Sequence, residues 1–427
     1  MSLGSLGLCD GLLRSVKDKG YKEATTIQKN LIPAILSGRD IIAGAQTGSG
    51  KTAGFALPIL HKLNQKENNQ KENNQKYYPK VLVLVPTREL ARQIYTSFKE
   101  YGKYIDLRYA VLYGGAKIST QANRLLSGID IIVATSGRLL EHIHRKNISL
   151  ASIEYLVLDE ADTILDMGFI HEISQIFEYI PKKRQNILIS ATLTPALKNL
   201  AGQILIKPKL IEADKIAKID TIQQTLYPVT RERKIELLSY LIGSNNYTQV
   251  LLFVRKKELI DELCLVLNKN GLKSEAIHGG KSSGARDRAL ERFKAGSIRV
   301  LVASDIAARG LDIPSLEVVI SYDIPHVLGD YIHRIGRTGR AGKNGLAIIL
   351  SSPEESISLK DLERLLGKAI PKEILPEYAP EKIYSKVKKT KTKQETKKIA
   401  GAFGEKKNRP KRSSKKRKIT KRDAWRR

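Results

Sequence analysis

Residues 45 to 52 read Ala45-Gln46-Thr47-Gly48-Ser49-Gly50-Lys51-Thr52, a glycine-containing loop that ends in an ammonium and a hydroxyl. Glycines let backbone N–H groups turn inward around a polyphosphate, and a helix starting after them points its positive dipole end at the same place. In such a loop Lys51 reaches the β- and γ-phosphates and Thr52 holds Mg²⁺. Ala45 stands where the pattern ordinarily has its first glycine, so the flanking chain must decide. The apolar run Ile41-Ile42-Ala43 precedes the loop and a helix-compatible segment, 53–63, follows it: the required order of strand, loop and helix. A second reactive group is Leu156-Val157-Leu158-Asp159-Glu160-Ala161-Asp162, where carboxylates end an apolar strand. Doubly wound sheets present ligands at that end of their strands. There Asp159 positions Mg²⁺, partly through water, and Glu160 orients and deprotonates an attacking water. A helix N-cap shared with Asp162 is the plain alternative; the phosphate loop upstream favours chemistry.

Such groups need rigid strands behind them. Short β-branched or leucine-rich runs occur at 81–85, 110–112, 131–134, 156–158 and 187–189, separated by segments such as 88–103 that suit helices. Apolar strands alternating with helices indicate an α/β fold whose mostly parallel sheet is covered on both faces. After Leu205 the pattern loosens through Lys207-Pro208-Lys209 to Asp220. A second series follows, with strands near 250–254, 275–277, 300–303, 318–321 and 347–350. The expected organisation is a first domain over 1–209, a linker over 210–222, a second domain over 223–375 and a tail from 376.

With 427 residues and 41% hydrophobic content, the chain exceeds one ordinary domain. Its two cysteines, Cys9 and Cys264, form no C-x-x-C pattern. Neither a disulfide framework nor a zinc site is supported, and a reducing compartment fits better. No apolar run approaches the roughly 18 residues of a membrane span, so the expectation is a cytoplasmic protein. A net charge of +30 calls for a polyanionic partner. More than half of it lies in 381–427, with 21 Lys and Arg against 4 Asp and Glu. That tail has few large apolar residues and is expected to be disordered when free. Residues 64–76, where Asn-Gln-Lys-Glu recurs, read as a solvated loop.

At Asp159-Glu160-Ala161-Asp162 the chain resembles the DEAD-box ATP-dependent RNA helicases. Other pieces stand in that family's order: Gly20-Tyr21 through Thr26-Ile27-Gln28, Pro86-Thr87-Arg88-Glu89-Leu90-Ala91, Gly114-Gly115, Ser190-Ala191-Thr192, the stretch 305–312, and His333-Arg334-Ile335-Gly336-Arg337-Thr338-Gly339-Arg340. The match spans residue 3 to about residue 370. Lys51-Thr52-Ala53-Gly54-Phe55, the run 278–286 and the basic C-terminal extension look most like the bacterial RhlE branch.

The resemblance implies two RecA-like domains with ATP and Mg²⁺ between them, RNA crossing both, and a monomer acting in a bacterial cytoplasm. Gln28 recognises the adenine edge in that reading, since an amide offers donor and acceptor together, and Tyr21 stacks on the ring. A Gln in a helical segment is otherwise an ordinary solvated residue. Asp162, Ser190, Thr192 and His333 couple hydrolysis to domain motion, although Ser190 and Thr192 also suit helix capping. Arg337 and Arg340 point at the γ-phosphate, and Asp312 contacts the ribose; a solvated basic face is the bland reading of the arginines.

RNA contacts are implied at Thr87, Arg88, Gly115, Thr135 and Arg138, then at Gly279, Arg286 and Ser304. Glycines, hydroxyls and backbone N–H groups suit sugar-phosphate contacts that read no base edge. Single strands and short duplexes are the expected substrates, in ribosomal precursors or RNA-degradation complexes. Leu3, Ala24, Ser136 and Ser283 depart from the family pattern, the first two near the adenine pocket and the others among the RNA contacts. Three activities follow: an ATP-driven RNA remodeller, an ATP-gated RNA clamp, and a DNA translocase on the same domains.

Overall fold

The computed structural model describes residues 3–44, 49–68, 78–212, 222–309, 311, 313, 316–339 and 345–380. Seven strands form the first sheet: β1 (Ile41–Gly44), β2 (Val81–Leu84), β3 (Tyr109–Leu112), β4 (Ile131–Ala134), β5 (Tyr155–Leu158), β6 (Gln185–Ser190) and β7 (Lys209–Glu212). Their order is β3-β4-β2-β5-β6-β1-β7, and every pairing is parallel. Six form the second: β8 (Ile222–Pro228), β9 (Val250–Phe253), β10 (Ser274–Ile277), β11 (Val300–Ala303), β12 (Val318–Ser321) and β13 (Gly345–Ser351). Their order is β10-β11-β9-β12-β13-β8, again parallel throughout. Both sheets are RecA-like, and both belong to one compact unit, Met1–Tyr378.

Because strand side chains alternate between faces, each apolar run feeds two cores. Val81, Val83, Ile131, Val133, Val157 and Ile187 face the helices Lys51–Asn68 and Arg88–Tyr101, where Phe55 and Phe98 pack with centroids 6.1 Å apart. Leu82, Leu84, Ile132, Leu156 and Leu188 face the opposite way, onto Leu139 and Ile143 of the helix Ser136–His144 and Ile173 and Ile176 of the helix Ile170–Glu178. The second sheet repeats the plan: Leu252, Val302 and Ile320 meet Ile260, Leu263 and Leu267, while Leu251, Leu301 and Val319 meet Ala289 and Phe293.

Four boundaries differ from the sequence reading. Leu210–Glu212, placed in the linker, continues β7 beside β1 in the first sheet; a four-residue strand exposed at three positions has too little apolar character to announce itself. β8 went unseen for a related reason, since Gln223, Gln224 and Thr225 interrupt the apolar run of an edge strand. Residues 64–68, read as loop, extend the helix Lys51–Asn68. The second fold also reaches past residue 375, because Tyr378 is buried in its core with the Arg233 guanidinium 4.7 Å from the ring centroid. Leu3 and Ala24 are buried in the first core. Residues 213–221 of the linker, 69–77 of the low-complexity stretch and the tail from 381 lie outside the described residues.

Candidate nucleotide and RNA site

Parallel pairing sets Gly44 at the end of β1 opposite Ser190 at the end of β6, with β5 ending next door at Leu158. The carboxyl ends of these three strands therefore lie together at one edge of the sheet. Lys51, first residue of its helix, places Nζ 3.0 Å from Asp159 Oδ1 and 3.9 Å from Glu160 Oε1. All three side chains are buried. Burial works against the Lys51 charge, but the facing carboxylates outweigh it and raise its pKa; burial likewise raises that of Asp159, with Lys51 opposing. Glu160 adopts φ 51° and ψ 49°, a left-handed conformation that costs a non-glycine residue about 1–2 kcal/mol and is typical of functional sites.

Asp159 Oδ2 and Glu160 Oε2 are buried with no hydrogen-bond partner among the described residues. Hard, unsatisfied carboxylate oxygens are the donor type that Mg²⁺ takes. Ala45, Gln46, Thr47 and Gly48 lie outside the described residues. Gln28 reaches the end of that loop: its Nε2 donates to the Gly50 carbonyl at 3.1 Å, while its Oε1 accepts from Thr25 N at 3.0 Å. Thr25 Oγ1 donates to the Ser49 carbonyl at 2.9 Å. Gly50 has φ 88°, and a Cβ there would stand 2.6 Å from Gln28 Nε2. The Tyr21 hydroxyl lies 3.0 Å from that of Tyr101, at the rim of a cleft of about 740 Å³ that Lys51, Thr52, Glu160, Leu311 and Arg337 also line.

Asp162 sits one helical step beyond the carboxylate pair. Its Oδ2 accepts from Ala191 N (3.1 Å), Thr192 N (2.8 Å) and Thr192 Oγ1 (2.9 Å), and His333 Nε2 of the second fold lies 3.6 Å away. Burial alone would raise this carboxyl, but the nearby His333 and the bonds from Thr192 hold it well below the usual carboxylate range. Ser190 Oγ donates to the Thr192 carbonyl at 2.7 Å, which closes the turn. Arg337 is buried, with Nη1 donating to the Leu311 carbonyl at 2.7 Å. Asp312 and Arg340 lie outside the described residues.

The expected RNA residues of the first sheet gather on the loops after β2, β3 and β4. Thr87 caps the helix Arg88–Tyr101 through Leu90 N, and a Cβ on Gly115 would collide with the Arg88 guanidinium. Thr135 precedes the helix Ser136–His144, from which Arg138 donates to the Ala116 carbonyl at 2.9 Å and pairs with Glu141 at 3.0 Å. In the second fold Gly279 is exposed and Ser304 caps the short helix Asp305–Ala308. Arg286 is not on an open face: its Nη1 lies 2.8 Å from Glu89 Oε1 and the pair is largely buried.

Sequence reasoning missed Glu89 in that pair, its neighbour Arg92–Asp287 at 2.8 Å, and Asp166–Arg309 at 3.7 Å, all of which join the two folds. It also missed Arg334, fully buried and forked onto Asp305 at 2.6 and 2.8 Å. No local spacing signals such pairs, because the partners come from distant chain segments.

Lys51 and Thr52 at a helix start, the strand-end carboxylate Glu160 and Arg337 of a second RecA-like fold line one cleft, the arrangement of a nucleotide-dependent enzyme built from two folds. The pattern of the DEAD/DEAH box helicase family matches residues 25–200, and that of the helicase conserved C-terminal domain matches residues 233–342. The DEAD-box ATP-dependent RNA helicase CshA of Bacillus cereus is 43% identical over 360 residues, which cover 84% of this chain and 67% of that protein. The S. cerevisiae Dbp5 structure bound to RNA and ADP BeF3 is similar with a TM-score of 0.76 at 29% identity, over 88% of this chain and 95% of that one. Mss116p bound to ssRNA and AMP-PNP gives 0.77 at 28% identity, over 90% and 81%. The chain belongs to the DEAD-box ATP-dependent RNA helicases. Among the described residues no helix is long and apolar enough to cross a membrane.

Proposed function

We propose that this chain is an RNA-stimulated ATPase that remodels short RNA duplexes or RNA–protein complexes by closing and reopening its two folds. The observation that carries this reading is the divided site: Lys51, Thr52 and Glu160 come from the first fold and Arg337 from the second, on one cleft. Lys51 pairs with Asp159, and the phosphate oxygens of a bound triphosphate compete for the same ammonium. Asp159 and Thr52 hold Mg²⁺, whose charge stabilises the phosphates when bound. Glu160 takes the proton of the attacking water, and Arg337 with Arg340 offsets charge on the transferring group, a contribution of about 10³ to 10⁵ in rate.

RNA is held through sugar and phosphate, without base reading, by the residues after β2, β3 and β4 together with Gly279 and Ser304, while Arg286, buried against Glu89, ties the two folds beside that surface. Such a strand adds binding energy to the closed arrangement and shifts the population toward it. Assignment to the RhlE branch rests on the runs 51–55 and 278–286, whereas the relative described above is a CshA protein. A monomeric, cytoplasmic enzyme serving ribosomal precursors or RNA decay completes the reading. ATPase assays with and without RNA, and with DNA of the same sequence, test it. Stimulation by RNA alone is expected, Glu160→Gln should keep ATP and RNA binding but nearly abolish turnover, and Arg337→Ala should lose the stimulation. Equal stimulation in wild type and Arg337→Ala would overturn it.

A further inference from the structure

The helix Ser136–His144 carries a buried histidine that the chemistry above does not use. His142 is fully buried, and both ring nitrogens are engaged: Nδ1 lies 3.0 Å from Asn147 Nδ2, and Nε2 lies 3.2 Å from Gln121 Oε1. Gln121, buried on the helix Ile118–Leu126, donates from Nε2 to the Tyr113 carbonyl at 3.0 Å. One assignment satisfies all three bonds. The Asn147 amide donates to Nδ1, Nε2–H donates to Gln121 Oε1, and the Gln121 amide donates to Tyr113, which requires the neutral ring with its proton on Nε2. Burial, with the nearby Arg138 charge, lowers the His142 pKa and supports that form. Asn147 is itself held, because its N–H bonds the His142 carbonyl at 3.0 Å across Lys146 at φ 55°.

Tyr113 immediately precedes Gly114-Gly115, and Ala116 immediately follows. Arg138 of the same helix donates to the Ala116 carbonyl. The glycine loop is thus pinned at both ends from one helix, by Arg138 directly and by His142 through Gln121. Glycines without such ties sample many backbone conformations, and supporting bonds of this kind hold a binding loop in its productive geometry.

We propose that His142 and Gln121 are positioning residues for RNA, fixing the loop 113–116 relative to the helix that follows Thr135 and bears Arg138, so that both elements engage one strand together. This inference rests on the RNA-contact reading of Arg88 and Gly115.

RNA titrations of ATPase in the full chain test it. His142→Phe and Gln121→Leu should each raise the RNA concentration for half-maximal stimulation about tenfold, with kcat at saturating RNA within twofold. The double variant should cost no more than either single change, since one chain of bonds is broken. His142→Gln, whose amide can still donate to Gln121, should restore most of the affinity. Arg88→Ala is the control. If Arg88→Ala weakens RNA binding while the relay variants do not, or if the two relay losses multiply, positioning through His142 is overturned and the contact reading stands. If Arg88→Ala is also without effect, the contact reading fails and the inference falls with it.

Discussion

Arg286 of the second fold and Glu89 of the first meet at 2.8 Å, with their side chains 8% and 14% exposed. Glu89 directly follows Arg88, an expected RNA contact, so the tie between the folds and the RNA surface share one turn of chain. Removing one partner of a largely buried pair leaves the other charge uncompensated. Glu89→Ala should therefore reduce RNA-stimulated ATPase on the order of tenfold, and Glu89→Arg combined with Arg286→Glu should recover part of it. A double-mutant cycle with no coupling would show that the pair does not bias closure.

Lys51 faces two buried carboxylates, so its loss has a cost without any ligand. Lys51→Ala should destabilise the nucleotide-free protein by about 3 kcal/mol in addition to weakening ATP binding. Denaturant unfolding without nucleotide reads this directly; an unchanged midpoint would contradict the Lys51–Asp159 pairing.

Gly50→Ala should damage the site through Gln28 and the backbone beside Lys51. The backbone at φ 88° strains an L side chain, and the added Cβ displaces Gln28 Nε2. A strain of about 1–2 kcal/mol and loss of the Gln28 tie should weaken ATP binding at least tenfold. Nucleotide titration by calorimetry checks it, and wild-type affinity would show the tie to be dispensable.

Asp162 provides the pH test. Its folded pKa lies below the ordinary 3.8, so its stabilising contribution is complete above that ordinary value and is lost only as pH falls through the depressed one. Asp162→Ala should cost about 2–3 kcal/mol, because charged-acceptor bonds are removed and their donors left unsatisfied. Measured in a His333→Gln background, so that no imidazole faces the carboxyl, the stability difference made by Asp162→Ala should stay constant between pH 8 and 5. A difference that shrinks across that range would mean the carboxyl titrates higher than its contacts require.

The C-terminal stretch makes a separate prediction from charge alone. Removing residues 381–427 deletes a net +17 and none of the assigned site residues. RNA affinity and its salt dependence should both fall, by about 0.7 in log–log slope per lost phosphate contact, while kcat at saturating RNA stays close to wild type. An unchanged slope would exclude this stretch from RNA binding.

That Lys51 would meet Asp159 and Glu160 at one sheet edge was legible in the sequence because the signals are local: a glycine loop between strand and helix, and carboxylates closing an apolar run. The β-branched runs marked ten of the thirteen strands or their neighbourhoods for the same reason, since a strand buried on both faces must be continuously apolar. β1 was marked by its place before the loop. β7 and β8 were not, because β7 is exposed at three of its four positions and Gln223, Gln224 and Thr225 break the apolar run of β8. Tertiary structure alone decided which distant charges meet. Arg286 facing Glu89, Asp162 within reach of His333, and His142 tied through Gln121 to Tyr113 depend on parallel strand order and on helices from separate segments packing together. Side-chain pairing across such distances leaves no periodicity in one chain, because the geometry that creates it exists only after the sheets have formed.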